Sequence, residues 1–187
     1  MSLNKIIIVS GPSGVGKGTI CRRLIKDKIA AVSVSVTERD PRPGEVDGMH
    51  YHFISRDKFQ HMIDNNKLIE WAKYGKNRYG TPRHEVEKLL NQGKNVVLEI
   101  DVQGAMQVKE REQNVITIFV TPPDMEALRK RLLGRGTETE EQQELRLSRA
   151  IEEMKYKEQY DYSVVNDSLE QAIIDIKKII EGVGEND

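Results

Sequence analysis

Lys5-Ile-Ile-Ile-Val-Ser-Gly11-Pro-Ser-Gly-Val-Gly-Lys-Gly-Thr19 is the stretch that decides the fold. Its first part, Lys5–Ser10, is a β-branched run without polar alternation, which predicts a central parallel strand buried on both faces. Gly11, Pro12, Ser13, Gly14, Val15, Gly16, Lys17, Gly18 and Thr19 follow directly, and a helix is predicted from there through about Lys26. A G-x-x-x-x-G-K run between a buried strand and a helix reads as a phosphate cradle. Glycines let the backbone wrap closely around phosphate oxygens, amide N–H groups point inward, and the helix N-terminus adds partial positive charge. Lys17 supplies a mobile cation for the terminal phosphates. The plain alternative is a glycine-rich turn carrying a surface lysine, and the flanking strand and helix favour the nucleotide reading. Gly18 stands where Ser or Thr would normally ligate Mg²⁺, so the metal ligands stay open, with Thr19 or water as candidates.

Outward from this loop, Ala31–Val36 alternates valines with Ser33 and Ser35 and reads as a half-buried strand. Glu38–Gly48 holds two prolines and two glycines and reads as turns, followed by a short strand at Tyr51–Ile54. Ser55 is placed to cap a helix whose Phe59, Met62 and Ile63 share one face. Leu68–Tyr74 reads as a strand and Gly75–Gly80 as a turn. Thr81-Pro82 then opens a helix that stops before Gly93. Asn95–Ile100 and Val115–Thr121 are further buried strands, and Asp124–Leu133 is helical up to the break at Gly134-Arg135-Gly136. A charged helix is predicted over about Thr139–Glu158, with capping-box spacing at Thr139 and Gln142. The last helix, about Ser168–Glu181, puts Leu169, Ile173, Ile176 and Ile180 on one stripe. This alternation predicts an α/β fold with a parallel sheet between two helical layers. Residues 35–84, approximately, break the rhythm and read as an insertion. The arginine-rich segment of about 126–152 reads as a mobile lid, leaving 1–34, 85–125 and 153–187 as the core of a single domain.

A chain of 187 residues fits one domain. Its 29 Lys+Arg against 30 Asp+Glu give a net charge of −1, which argues against bulk binding of nucleic acid or an anionic membrane surface. The single cysteine, Cys21, excludes an intramolecular disulfide and a cysteine metal cluster, and fits a reducing, cytoplasmic compartment. Apolar runs such as Ile6–Val9 fall far short of the ~20 residues of a membrane helix or of a secretory signal. Met1, Ser2 and Leu3 are given no role.

A second anion site is read at Arg39-Asp-Pro-Arg42, two guanidiniums on a proline-stiffened loop that bind phosphate through paired N–H donors. Tyr51 and Tyr79 can add hydroxyls. The competing view is a solvated Arg/Asp loop with the tyrosines in its core. Glu70, within the apolar Leu68-Ile-Glu-Trp-Ala72, is costly to bury unless it finds donors. Guanine offers N1–H and the N2 amino group side by side, a pair adenine lacks. Spacing leaves equally open that Glu70 faces solvent or pairs with an arginine. Asp101 ends a buried strand at the sheet edge where ligands of α/β folds bind. Arg131, Arg135 and Arg146 form a cluster able to neutralise charge during phosphoryl transfer, whereas Arg129 and Arg149 read as solvated helix residues. His50 and His52 alternate along a strand with no carboxylate to complete a site. Trp71 reads as core.

Taken together, these strings resemble the guanylate kinase family, nucleoside monophosphate kinases that phosphorylate GMP with ATP. Gly11–Thr19, the run Ser35–Gly48 with Tyr51-His-Phe53, and Leu68-Ile-Glu-Trp-Ala72 carry the resemblance, which spans nearly the whole chain. Tyr79-Gly-Thr81, Ile100-Asp-Val-Gln-Gly104 and Arg131-Leu-Leu-Gly-Arg-Gly-Thr-Glu-Thr139 follow in the family's order. The resemblance implies a P-loop NTPase-type three-layer fold with an inserted GMP-binding subdomain and a mobile lid, and the reaction ATP + GMP to ADP + GDP in purine recycling, with Mg²⁺ accompanying ATP. It implies that Arg39, Arg42, Tyr51 and Tyr79 hold the GMP phosphate while Ser35, Glu70, Thr81 and Asp101 face guanine. Lys17, Arg131, Arg135 and Arg146 would surround the transferred group, with the Asn166 backbone near adenine. Substrates would be ATP and GMP, with no obligate protein partner. Two departures stand out: Gly18, and Glu38 where many members carry a second threonine beside the phosphate arginines. Two other functions compete. A non-catalytic relative binding phosphorylated proteins is disfavoured by the intact Gly11, Gly16 and Lys17. A GTPase matches Asp101-Val-Gln-Gly104 but lacks an N-K-x-D motif.

Overall fold

In a computed structural model that describes residues 4–133 and 140–182, the predicted first strand forms and organises everything else. The chain runs β1 (Ile6–Ser10), α1 (Lys17–Lys26), β2 (Ala31–Val32), β3 (Val36–Thr37), β4 (His52–Phe53), α2 (Arg56–Asp64), β5 (Leu68–Tyr74) and β6 (Asn77–Pro82). It continues α3 (Arg83–Asn91), β7 (Val96–Glu99), α4 (Val102–Arg111), β8 (Val115–Thr121), α5 (Met125–Leu133), α6 (Glu140–Met154), a short 3₁₀ turn (Lys157–Gln159), β9 (Tyr162–Val165) and α7 (Leu169–Glu181).

Strand β1 is buried along its whole length because it pairs in parallel with β7 on one edge and β8 on the other. The main sheet has the order β2-β7-β1-β8-β9, all parallel. Alternation along β1 divides the core into two layers. Ile7 and Val9 meet Ile20 and Leu24 of α1 and Ala172, Ile173 and Ile176 of α7. Ile6 and Ile8 meet Val86 of α3 and Ala105 and Val108 of α4 on the opposite face. The result is the expected three-layer α/β arrangement. Removing a side chain as enclosed as Ile7 is worth about 2–5 kcal/mol of stability.

The insertion builds its own sheet, in the order β4-β3-β6-β5, with β6 antiparallel to both β3 and β5. Phe59, Val36 and Leu68 form its core, and Trp71 packs against them as read from the sequence. The Ser55 hydroxyl caps α2 by accepting from the Lys58 N–H.

Several elements differ from expectation. Ala31–Val36 is not one strand: β2 joins the main sheet, β3 joins the insertion, and Ser33–Ser35 crosses between them. The valine alternation is real, but each half serves a different sheet. Gly75–Gly80 is a turn only at Gly75-Lys76, since Tyr74 pairs with Asn77 and the rest is β6. The polar Asn77 and Arg78 hid that strand. The helix expected at Thr81-Pro82 begins at Arg83, with Pro82 as its N-cap. Helix α4 was not foreseen, because Gly104 lowers its propensity; Asp101 starts it by accepting from the Gly104 N–H at 2.8 Å. The short β9 also escaped notice, having a single buried residue, Val164. The charged helix ends at Met154, and the 3₁₀ turn takes its last residues. Its predicted cap Thr139 and the Gly134-Arg135-Gly136 break lie outside the described residues.

Candidate active site

The glycine loop leaves β1 and turns into α1 at Gly16, whose φ of 99° suits a residue without a side chain. A Cβ there would come 2.5 Å from the Asn166 Nδ2, so no larger residue fits. Asn166 in turn donates from Nδ2 to the Val15 carbonyl at 2.8 Å, holding the loop against the end of β9. Lys17 curls back and donates to the carbonyls of Gly11 and, at 3.0 Å, Pro12. Burial draws its pKa below the ordinary lysine value, and the carboxylates of Glu153 and Glu99 pull the other way. The Ser13 N–H donates to Glu153 Oε2 at 3.1 Å, which places a carboxylate on an amide of the phosphate loop. A cavity of about 360 Å³ opens here, lined by Ser13, Gly14, Gly16, Lys17, Gly18, Thr19, Arg22 and Glu99.

Of the three predicted arginines, one reaches this loop and one reaches Asn166 beside it. Arg146 donates to Ser13 Oγ at 2.9 Å, and Arg131 donates to the Asn166 carbonyl at 2.9 Å. Arg135 lies outside the described residues.

A second cavity, about 370 Å³, gathers Ser35, Arg39, Arg42, Tyr51, Glu70, Tyr79 and Asp101, residues drawn from four separate stretches of sequence, together with Ala72, Tyr74 and Glu99. Glu70, Ala72 and Tyr74 alternate along β5 and therefore present one face. Thr81 sits directly opposite Glu70 in the hairpin and donates its hydroxyl proton to Glu70 Oε1. Glu70 is only 5 % exposed. Burial, helped by the nearby Asp101 charge and opposed by the Thr81 hydrogen bond, raises its pKa to about 7. The solvent-facing and arginine-paired alternatives for Glu70 are thus replaced by a buried carboxyl aimed at a cavity. Its second oxygen has room because residue 104 is glycine: a Cβ there would lie 2.8 Å from Glu70 Oε2.

Arg39 is held from every side. Its guanidinium lies 5.3 Å from the Tyr51 ring centre and 5.5 Å from that of Phe53, and Nε donates to the Tyr79 hydroxyl at 3.2 Å. Glu45 accepts from both of its terminal nitrogens at 2.7 Å, and from the Arg42 N–H at 2.7 Å. These contacts pull the Glu45 carboxyl down to about 2.

Sequence reasoning missed Glu99, which lines both cavities and so forms their common wall. The Glu99-x-Asp101 spacing at a strand end was its signal. Glu45, Glu153 and Glu85 were missed because each acts through contacts distant along the chain or across a loop. Glu85 also supplies the carboxylate that the His52 reading lacked: Oε1 lies 2.7 Å from His52 Nε2. Glu38 faces Arg78 rather than Arg39 and Arg42, accepting from Nε at 2.8 Å and Nη2 at 2.6 Å. Volume alone does not locate the chemistry. A roomier cavity, about 660 Å³ between α2 and α3, is bordered by Lys58, Met62 and Arg83 and touches neither the glycine loop nor the tyrosines.

Comparison with known proteins agrees with this geometry. The family model described as Guanylate kinase matches residues 3–183. The chain is 48% identical over 176 residues to the guanylate kinase of Desulfitobacterium hafniense, covering 94% of this chain and 88% of that protein. It is 50% identical over 177 residues to that of Lactococcus lactis, covering 94% and 86%. The crystal structure of guanylate kinase from Anaplasma phagocytophilum superposes with a TM-score of 0.76 at 34% identity, covering 99% of this chain and 88% of that one. The SH3-kinase fragment of tight junction protein 3 shares the fold alone, at 9% identity and a TM-score of 0.55 over 97% of this chain and 58% of the fragment. A parallel β1–β7–β8 core ending in a glycine cradle, a neighbouring arginine-tyrosine cavity and these similarities place the chain in the guanylate kinase family.

Proposed function

We propose that this chain transfers the γ-phosphoryl group of ATP to GMP, giving ADP and GDP. The observation that carries the choice of acceptor is Glu70: a buried carboxyl lining the cavity that holds Arg39 and Arg42, with one oxygen tied to Thr81 and the other beside Gly104. Its free oxygen and its ionised charge suit the adjacent N1–H and N2 donors of guanine. Adenine and the pyrimidines offer no such pair on that edge.

In this reading the ATP phosphates lie along Gly11–Thr19, where the loop amides and Lys17 meet them. They displace the Glu153 carboxylate from the Ser13 N–H. The GMP phosphate is held by Arg39, Arg42, Tyr51 and Tyr79, with Ser35, Thr81 and Asp101 on the guanine side. An oxygen of that already ionised phosphate attacks the γ-phosphorus. The new O–P bond forms as the bond to the β–γ bridging oxygen breaks, and ADP leaves with the electron pair. No general base is needed, because the attacking oxygen is already ionised. Catalysis then rests on in-line placement and on charge neutralisation by Lys17, Arg131, Arg135 and Arg146. Residues of about 35–84 and 126–152 act as the closing parts around the 1–34, 85–125 and 153–187 core, keeping water from ATP.

Mg²⁺ with ATP supplies charge neutralisation on the β- and γ-phosphates. The donor set fits an ion that arrives with its nucleotide: Glu99 is the carboxylate bordering the loop cavity, and a Cβ at Gly18 would sit 3.4 Å from its oxygens. Magnesium characteristically uses one or two carboxylates with phosphates and waters, so Glu99 would hold it, directly or through water. Thr19 is engaged by Arg22 at 3.1 Å instead. A cytoplasmic setting suits the buried thiol of Cys21, and no helix among the described residues is long and apolar enough to cross a membrane. A coupled assay with ATP and each of AMP, GMP, CMP and UMP tests the reading. Turnover confined to GMP supports it; equal turnover of AMP, or GTP hydrolysis without any monophosphate, removes it.

A further inference from the structure

The crossover Ser33–Ser35 and strand β4 form one side of the acceptor cavity, since Ser35 and Tyr51, the residue preceding β4, both line it. Neither is held by a long ladder of its own. The crossover leaves the main sheet after Val32 and enters the insertion sheet only at Val36, so Ser33 and Val34 belong to neither ladder. Strand β4 spans just two residues.

Glu85 reaches both from outside the cavity. It stands in the first turn of α3, a helix anchored to the main core by Val86. Its Oε2 accepts from the Val34 N–H at 3.0 Å and from Ser33 Oγ at 3.4 Å, while Oε1 shares a 2.7 Å hydrogen bond with His52 Nε2. The loop closes on itself, because the His52 N–H donates to the Ser35 carbonyl at 2.8 Å. The side chain of Glu85 is 23 % exposed, so water competes only partly for these contacts. One carboxylate therefore ties the main core to two segments that each contribute a neighbouring residue to the cavity wall.

We infer that Glu85 is a positioning residue for the acceptor nucleotide: it clamps residues 33–35 and β4 to α3, and so sets where Ser35 and Tyr51 stand. The inference rests on the reading of that cavity as the GMP site. Glu85 does not line that cavity, and its effect is confined to the acceptor side because the phosphate loop shares none of these contacts. The arrangement makes acceptor binding depend on a residue of the core rather than of the insertion.

Steady-state kinetics of Glu85→Ala, Glu85→Gln, His52→Ala and the double variant, with Tm recorded for each, test it. Glu85→Ala should raise KM for GMP about tenfold, the scale of one lost charge-assisted hydrogen bond. KM for ATP and kcat at saturating GMP should stay within about twofold of the wild-type values on the same reasoning. Glu85→Gln should fall between, its amide oxygen still accepting from Val34. His52→Ala should raise KM for GMP less than Glu85→Ala, and combining the two should add little, because both act through one carboxylate. A lower Tm with KM for GMP unchanged would mean that Glu85 only stabilises the start of α3, and would overturn the clamp while leaving the reaction assignment intact. If Glu85→Ala does not fold, Glu85→Gln and His52→Ala decide the same question. Absence of GMP turnover in the wild-type protein would instead overturn the cavity's assignment, and the clamp's role with it.

Discussion

Glu45 spans the fork of Arg39, its two carboxylate oxygens each 2.7 Å from a different terminal nitrogen of the guanidinium. The same carboxylate takes the Arg42 N–H, so one side chain ties together the two arginines of the cavity proposed to take GMP. Replacing Glu45 with Ala should loosen that loop and raise KM for GMP several-fold with little change in kcat or in KM for ATP, measured by steady-state kinetics. Its pKa, drawn down to about 2 from the ordinary 4.5, means the tether is fully present above about pH 4.5 and is lost as pH falls toward 2. An unchanged KM for GMP would show that Arg39 needs no carboxylate partner.

Glu70 gives a pH dependence of opposite sign. With its pKa raised to about 7, the ligand-free fold holds an extra proton across the window from about 4.5 to 7. Stability therefore falls as pH rises through that window and levels off above it. Guanine donors require the ionised carboxylate, so a proton must leave on binding and affinity should climb with pH up to about 7. Calorimetry with guanosine, which lacks the phosphate that itself titrates near pH ~6, isolates this step. Glu70→Gln should flatten the profile and lower GMP affinity by about 1–3 kcal/mol. A profile identical in the variant would mean that guanine is read elsewhere.

Gly104 couples the two sides of that carboxyl. Ala at this position in α4 should favour the helix by ~1 kcal/mol, yet its Cβ would crowd Glu70 Oε2 at 2.8 Å. Gly104→Ala is expected to raise KM for GMP at least as strongly as Glu70→Gln while leaving ATP affinity unchanged, in steady-state assays. GMP affinity equal to wild type would show that Glu70 Oε2 does not receive the base.

Lys17 lines the glycine-loop cavity and not the one proposed to take GMP. Lys17→Ala should lower kcat by about 10²–10³-fold, as for loss of one preorganised transition-state contact. GMP binding measured without ATP should not change. Activity near the wild-type level would remove the phosphate-loop assignment.

The first strand and its glycine turn were readable because a buried parallel strand leaves an unbroken apolar run and a phosphate loop needs glycine at fixed spacing. Arg39, Arg42, Tyr51, Glu70, Tyr79 and Asp101 were each visible as residues, but only the fold brings them around one cavity. The carboxylates Glu45, Glu85 and Glu153 were not legible. In sequence they are three of many acidic residues on a highly charged chain, and what distinguishes them is partners such as Val34, His52 and Ser13 that only folding brings close. The split of Ala31–Val36 was hidden for a related reason: period-two alternation reports a strand face, not which sheet receives it.

The central claim is that the glycine cradle and the arginine-tyrosine cavity, which share Glu99 as a wall, form one reaction space. Its most direct test is the affinity of an adenosine and a guanosine joined 5′ to 5′ through a polyphosphate, compared by calorimetry with ATP and GMP separately. Linkage across one space turns the second contact into an intramolecular one, so the joined molecule should bind about 10²–10⁴-fold more tightly than either nucleotide. Affinity no greater than that of the tighter single nucleotide would contradict the account.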